Sequence, residues 1–166
     1  MTNTAKPPYI IVDIAKQQLH CIGDITHSYP ISTALNGVGE KQDSGCTPRG
    51  KHRIAQKIGE NQPSNSVFVG RVPTGEIYGS ELAAQFPNRD WILSRILWLD
   101  GLESQFNQGV GCDSHARYIY IHGTPDTEPM GEARSHGCIR MRNADVIELF
   151  DRVTVDTVVN IIDASA

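Results

Sequence analysis

The stretch Arg117-Tyr-Ile-Tyr-Ile-His-Gly-Thr124 decides how the chain folds around its chemistry. Its alternation predicts a strand over 117–122, with Ile119 and Ile121 on one face and Tyr118, Tyr120 and His122 on the other. His122 is then the strand's last residue before Gly123, a position where a side chain meets a cleft. Downstream comes Ser135-His-Gly-Cys-Ile-Arg-Met141. A cysteine flanked by glycine and histidine, just ahead of a helix, points to nucleophilic catalysis. The thiolate is the reactive form, and a histidine within reach can take the thiol proton. Gly137 lets the backbone turn sharply and lets a substrate approach. The N–H groups of Gly137 and Cys138 are then placed to face a developing oxyanion, each such donor contributing ~3 kcal/mol.

Outward from this core, the first third of the chain reads as β. Tyr9–Ile14 sets Ile10, Val12 and Ile14 on one face, and Gln18–Ile22 follows. Ser28–Ala34 is a third strand, whose Pro30 belongs at the strand's start or on a sheet edge because it lacks an N–H. Asn36-Gly37 marks a turn. Lys51–Ile58 and Val67–Arg71 are further strands, and this spacing predicts a sandwich or barrel. A short helix is expected within Gly79–Asn88. Trp91–Leu99 is an apolar run that periodicity leaves open between strand and helix, with strand the better reading. Gly101–Ser114 is a long loop, a length that is uncommon without a function. Asn143–Val153 is the best helix, with Asn143 as N-cap, Asp145 in the first turn and an apolar stripe of Val146, Leu149, Phe150 and Val153. Thr157–Ile162 closes the fold as a strand. The 166 residues fit a single domain spanning 1–166.

Composition excludes some functions. A formal net charge of −4 argues against an unaided nucleic-acid binder, whose phosphate contacts need a basic surface. No stretch approaches the roughly 20 apolar residues that span a bilayer. The lead Met1–Pro8 carries no secretory signal pattern, so the expected location is the cytoplasm, where Cys21, Cys46, Cys112 and Cys138 are reduced thiols.

The tetrad Ser135-His-Gly-Cys138, preceded by Ile121-His-Gly-Thr124, resembles the signature of YkuD-type L,D-transpeptidases. The loop Thr47-Pro-Arg-Gly50 and the order of elements are also similar to that family's, so the resemblance covers nearly the whole chain. It implies a mainly β fold, a β-sandwich of mixed sheets with a few short helices. It implies Cys138 as nucleophile, His122 as base with its other ring nitrogen oriented by the Gly123 carbonyl, His136 shaping the substrate site, and Ser135 serving the loop. The interval 123–134 is shorter than the family pattern usually carries, and Arg140 stands where Asn is frequent.

The implied substrates are peptidoglycan stem peptides or muropeptides, with no nucleic acid, membrane or cofactor involved. Their free carboxylates suit guanidinium groups, which bind them bidentately. Arg140 is the first candidate, with Arg95 and Arg142 behind it. The expected reaction is L,D-carboxypeptidase cleavage of the terminal D-Ala from tetrapeptides during murein recycling, with L,D-transpeptidation as the alternative. Two readings from other classes stand beside it: a zinc site built from His122, His136 and Cys138, and a domain that only binds stem peptides. For Cys21, Cys46 and Cys112 the ordinary reading is a small buried hydrophobe. For His20, His27, His52 and His115 it is a local hydrogen bond, and for Trp91 and Trp98 it is the core.

Overall fold

Among the residues described by the computed structural model, 6–163, the chain forms ten strands and two helices. The lead 1–5 and the end 164–166 of the expected 1–166 domain lie outside the described residues. In chain order the elements are β1 (Tyr9–Asp13), β2 (Gln18–Ile22), β3 (His27–Ser32), β4 (Gly50–Ile58), β5 (Ser66–Val69), β6 (Val72–Ile77), α1 (Ser80–Gln85), β7 (Ile92–Gly101), β8 (Tyr120–Thr124), β9 (Ile139–Arg142), α2 (Asn143–Arg152) and β10 (Val158–Ile162). Hydrogen bonds link β4-β10-β1-β2-β3-β9-β8-β7, and β7 pairs again with β4, so this circuit closes on itself. The hairpin β5–β6 hangs on β7. The sheet is mixed: β1–β10 and β8–β9 are parallel and the other pairs antiparallel.

Closure explains why β7 could not be read from periodicity. It is paired to β4, β5 and β8, and its residues from Leu93 to Leu99 are all buried. A strand covered on both faces loses its alternating pattern. The main core packs Ile10, Ile54, Leu97, Ile121 and Ile139 against Leu149 and Phe150 of α2. Each such side chain, fully buried, contributes roughly 1.5–3 kcal/mol. Trp91 and Trp98 are both core residues, 8% and 9% exposed.

Several local readings are corrected. The strand expected from Arg117 begins only at Tyr120, because Tyr118 adopts a positive φ of 59° that breaks the alternation, and it runs past His122 to Thr124. Pro30 sits inside β3 opposite Gln18, beside Ile31, where pairing with β9 begins. Cys138 leads into strand β9, not directly into a helix. The N-cap of α2 is Arg142. The Asn143 side chain is instead buried in a polar hub: it receives the Ser94 hydroxyl at 2.5 Å and donates to Thr124 O at 2.9 Å and Asn65 Oδ1 at 3.1 Å.

His52 anchors β4 to the long loop 102–119. It is fully buried, with Nδ1 3.0 Å from Gly50 O and Nε2 2.8 Å from Ser114 Oγ. A carbonyl only accepts, so Nδ1 carries the hydrogen and Nε2 accepts from the hydroxyl. Burial pushes its pKa down from 6.5 to about 4. Between those values the unfolded chain binds a proton that the folded chain refuses, so stability falls as pH drops from 6.5 to 4. The loss is on the order of 3 kcal/mol. Unfolding free energies of the wild type and His52→Asn, measured from pH 7 to 4, should converge as the pH falls; a gap independent of pH would contradict this account.

Candidate active site

The parallel register of β8 on β9 assembles the site. It pairs Ile121 with Ile139 and His122 with Arg140. One step earlier, Tyr120 lies beside Cys138, and its N–H donates to Cys138 Sγ at 3.4 Å. Alternation then sends Tyr120, His122, Cys138 and Arg140 to one face and Ile121, Ile139 and Met141 to the other. The packing agrees: Ile121, Ile139 and Met141 join the main core, while Cys138 packs on a smaller cluster of Phe68, Ile96, Trp98 and Tyr120.

His122 is buried and held by its own strand. Its Nδ1 lies 2.7 Å from Gly123 O, the carbonyl that the resemblance implied. The carbonyl can only accept, so Nδ1 carries the hydrogen and Nε2 keeps its lone pair as a base. Gly123 must be glycine: a Cβ there would run into Leu93 O and lie 2.8 Å from Asn143 Oδ1. The polar hub around Asn143 thus abuts the residue that orients the base. Burial pushes the His122 pKa down, against the pull of the Gly123 carbonyl and Asp90. Burial also pushes the Cys138 thiol up to about 11, a shift that Asp90 adds to and that the Tyr120 N–H, Arg140 and Arg117 oppose. Both shifts favour the neutral thiol and the neutral imidazole over a thiolate–imidazolium pair in the free protein. The thiol, partly open to solvent, donates to Tyr118 O at 3.3 Å.

The nucleophile loop is laced from within. Ser135 Oγ donates to Cys138 O at 2.6 Å and receives the Gly137 N–H at 3.2 Å. Thr47, from the expected Thr47–Gly50 element, donates its hydroxyl to Gly137 O at 2.9 Å and receives the Ala34 N–H at 3.0 Å. Gly137 has φ +136°, and a Cβ would come within 3.3 Å of Cys46 O. Of the two expected oxyanion donors, the Gly137 N–H is thus committed to Ser135, and the Cys138 N–H is the better candidate. Ser135 is buried, and its hydroxyl bonds within the loop.

The arginines divide. Arg140 lines a cleft of about 520 Å³ with Leu35, Glu128, Glu132, Ala133, Arg134 and His136. Arg95 is not brought to it: its Nη1 donates to Gln62 O at 2.8 Å and its guanidinium lies 5.4 Å from the Phe150 ring, on the α2 side of β7. The bulge at Ser94, with φ +70°, breaks the strand's alternation there. Arg142 is exposed at the start of α2. His136 is exposed and lines both the Arg140 cleft and a second one of about 310 Å³ containing Gln42, Asp43, Arg117 and Ile119. Among the described residues, no group of three His, Cys, Asp or Glu side chains is arranged to hold a metal ion.

Two site residues escaped the sequence reading. Arg117, taken as the first residue of a strand, donates to Cys46 O at 2.7 Å and Ser44 Oγ at 3.3 Å, tying the loop beside Gly137. Asp90 reaches Arg140 at 3.3 Å and His136 at 3.8 Å from a connection with no motif of its own.

The closed mixed sheet and the Cys138–His122 placement define a class, and comparison with known proteins agrees. Residues 7–161 match the YkuD family, the L,D-transpeptidase catalytic domain, and the chain belongs to that family. Among individual relatives it is 49% identical over 158 residues to the putative L,D-transpeptidase YqjB of Bacillus subtilis, covering 94% of this chain and 72% of that protein. It is 47% identical over 47 residues to the probable L,D-transpeptidase YbiS of Escherichia coli, which is 28% of this chain but only 15% of YbiS. Among solved structures, an L,D-transpeptidase from Mycobacterium smegmatis superposes with a TM-score of 0.54 at 16% identity, over 95% of this chain and 59% of that one. Bd1075 of Bdellovibrio bacteriovorus gives 0.56 at 17%, over 98% and 50%. The chain therefore spans about half to three-fifths of these solved relatives, and the likeness to them is one of fold.

A thiol whose pKa is held near 11 by burial should alkylate slowly at neutral pH. With iodoacetamide, peptide-resolved mass spectrometry should show labelling of Cys138 accelerating about tenfold per pH unit from 7 to 10. A plateau reached by pH 8 would contradict the neutral resting state.

Proposed function

We propose that the chain is a cysteine L,D-carboxypeptidase that removes the terminal D-Ala from peptidoglycan tetrapeptides in murein recycling. The observation that carries the reading is the shared face of β8 and β9. It turns a thiol, an imidazole and a guanidinium to the same side of two neighbouring strands, and the guanidinium lines the cleft that His136 also borders. Cys138 and Arg140 are two residues apart, a rise of about 6.6 Å along a strand. The arginine's long arm can hold the D-Ala carboxylate while the thiol meets the scissile carbonyl.

Cys138 Sγ attacks the carbonyl carbon of the diaminopimelate residue while Nε2 of His122 takes the thiol proton. The Cys138 N–H faces the oxyanion. Collapse expels the D-Ala amine, which leaves with the proton returned by His122, and a thioester remains. Water, deprotonated by the same histidine, then releases the tripeptide acid and the thiol. Hydrolysis as the second step is favoured by the partial openness of Cys138 and by the exposed His136 beside it.

L,D-transpeptidation is the second reading. The two clefts that meet at His136 favour it, since one could seat a donor and the other an acceptor.

Incubation of the pure protein with the tetrapeptide, with and without excess D-amino acid, followed by mass spectrometry, separates the two. Tripeptide plus D-Ala, unchanged by the added amine, is the expected result. Exchanged tetrapeptide or cross-linked dimer would establish the transpeptidase, and turnover surviving in Cys138→Ala would overturn both. Arg140→Ala should raise KM about 10- to 100-fold, the loss of a charged hydrogen bond worth ~1.5–3 kcal/mol. Unchanged kinetics in a folded Arg140→Ala would remove Arg140 from substrate recognition.

A further inference from the structure

The guanidinium of Arg140 already touches a carboxylate of this chain. Arg140 is 9% exposed, and its Nη2 lies 3.3 Å from Asp90 Oδ1. The second oxygen of the same carboxylate lies 3.8 Å from Nδ1 of His136. Asp90 is thus set between the arginine of the cleft and the histidine two residues before the nucleophile.

Its neighbours pin it there. Trp91 is buried edge-on against Tyr78 at 5.0 Å. Arg89 pairs with Glu76 at 2.8 Å and lies 4.7 Å over the Trp91 ring. The Asp90 side chain itself is 55% exposed.

The contact is a poor one. Arginine and carboxylate at their best form two parallel bonds of about 2.7–2.9 Å, and ion pairs open to water contribute little. A single long contact to a half-exposed carboxylate leaves most of the fork's capacity unused. A ligand carboxylate arriving through the cleft can supply the two-pronged geometry that Asp90 does not.

We propose that Asp90 is a specificity-determining positioning residue: an internal carboxylate that occupies Arg140 until a ligand carboxylate replaces it. The other charges facing the cleft are Arg134, Glu132 and Glu128, and Glu132 is engaged by Arg134 at 2.9 Å. Asp90 raises the energetic threshold for carboxylate ligands and, by its negative charge, disfavours the Cys138 thiolate while no ligand is bound. The inference rests on the proposed role of Arg140 but not on the identity of the peptide.

Two alkylating reagents that differ in charge test it without any substrate, through the change in their labelling ratio between variants. Iodoacetate carries a carboxylate and iodoacetamide does not. Asp90→Asn should raise the ratio of iodoacetate to iodoacetamide labelling at Cys138 several-fold. In an Arg140→Gln background the same change should leave the ratio within twofold, with Arg140→Met as the second background should the first not fold. A rise that persists without Arg140 would mean simple charge repulsion, and no rise would mean that Asp90 does not compete; either overturns the proposal. With tetrapeptide, Asp90→Asn should lower KM about 3- to 10-fold with kcat within twofold, and should leave KM for the C-terminal amide unchanged. A raised KM for the acid would show that Asp90 supports ligand binding and would overturn the competition. Absence of tetrapeptide turnover in the wild type, with the labelling ratios as expected, would sink the proposed reaction and leave the role of Asp90 standing.

Discussion

The parallel pairing of β8 with β9 is the constraint on which the site depends. Two strands far apart in the chain are set in a register that aligns His122 with Arg140 and Tyr120 with Cys138. A slip of one residue would turn Cys138 and Arg140 into the core and Ile139 and Met141 into the cleft. That register is fixed from both sides. The buried isoleucines and Met141 hold the inner face, and β7 and β3 hold the outer edges of the pair. At the far end of β8, Asn143 ties Thr124 to Ser94 of β7, so the helix that follows β9 also locks the strand before it.

Electrostatics follow from this placement. Burial favours a neutral thiol and a neutral imidazole; Arg140 and Arg117 oppose the first, while Asp90 supports the first and opposes the second. The Gly123 carbonyl takes the place of an acidic third residue. It fixes the tautomer of His122 without adding a charge that would hold the ring protonated.

Much of this was readable in the residues, and the failures have physical causes. Cys138 and His122 stand out as candidates from motif residues, because side-chain chemistry carries that signal locally, whereas the Gly123 carbonyl beside His122 came only from the family resemblance. The structure sets Cys138 and His122 on one face and shows the His122–Gly123 contact. The β-rich fold came from alternation and turn residues in the first third. The strand over Ile139–Arg142 was hidden because Ile139 and Met141 are only two apolar residues beside a motif, and its identity comes from the neighbours it pairs with. Asn143 carries the composition of an N-cap, yet tertiary partners claimed its side chain. Arg95 looked like a ligand for carboxylates, but the bulge at Ser94 turns it to the opposite side of β7. Asp90 had no local signal, because its meaning lies wholly in what the β6–β7 connection brings it against.

The central claim is that Cys138, and no other thiol, takes an acyl group from a stem peptide with His122 as base. Rapid quenching of the protein with tetrapeptide, followed by proteolysis and mass spectrometry, tests it most directly. The account predicts a tripeptidyl adduct on the peptide containing Cys138, absent in Cys138→Ala and formed far more slowly in His122→Ala. Products appearing with no adduct, or an adduct on Cys46 or Cys112, would contradict it.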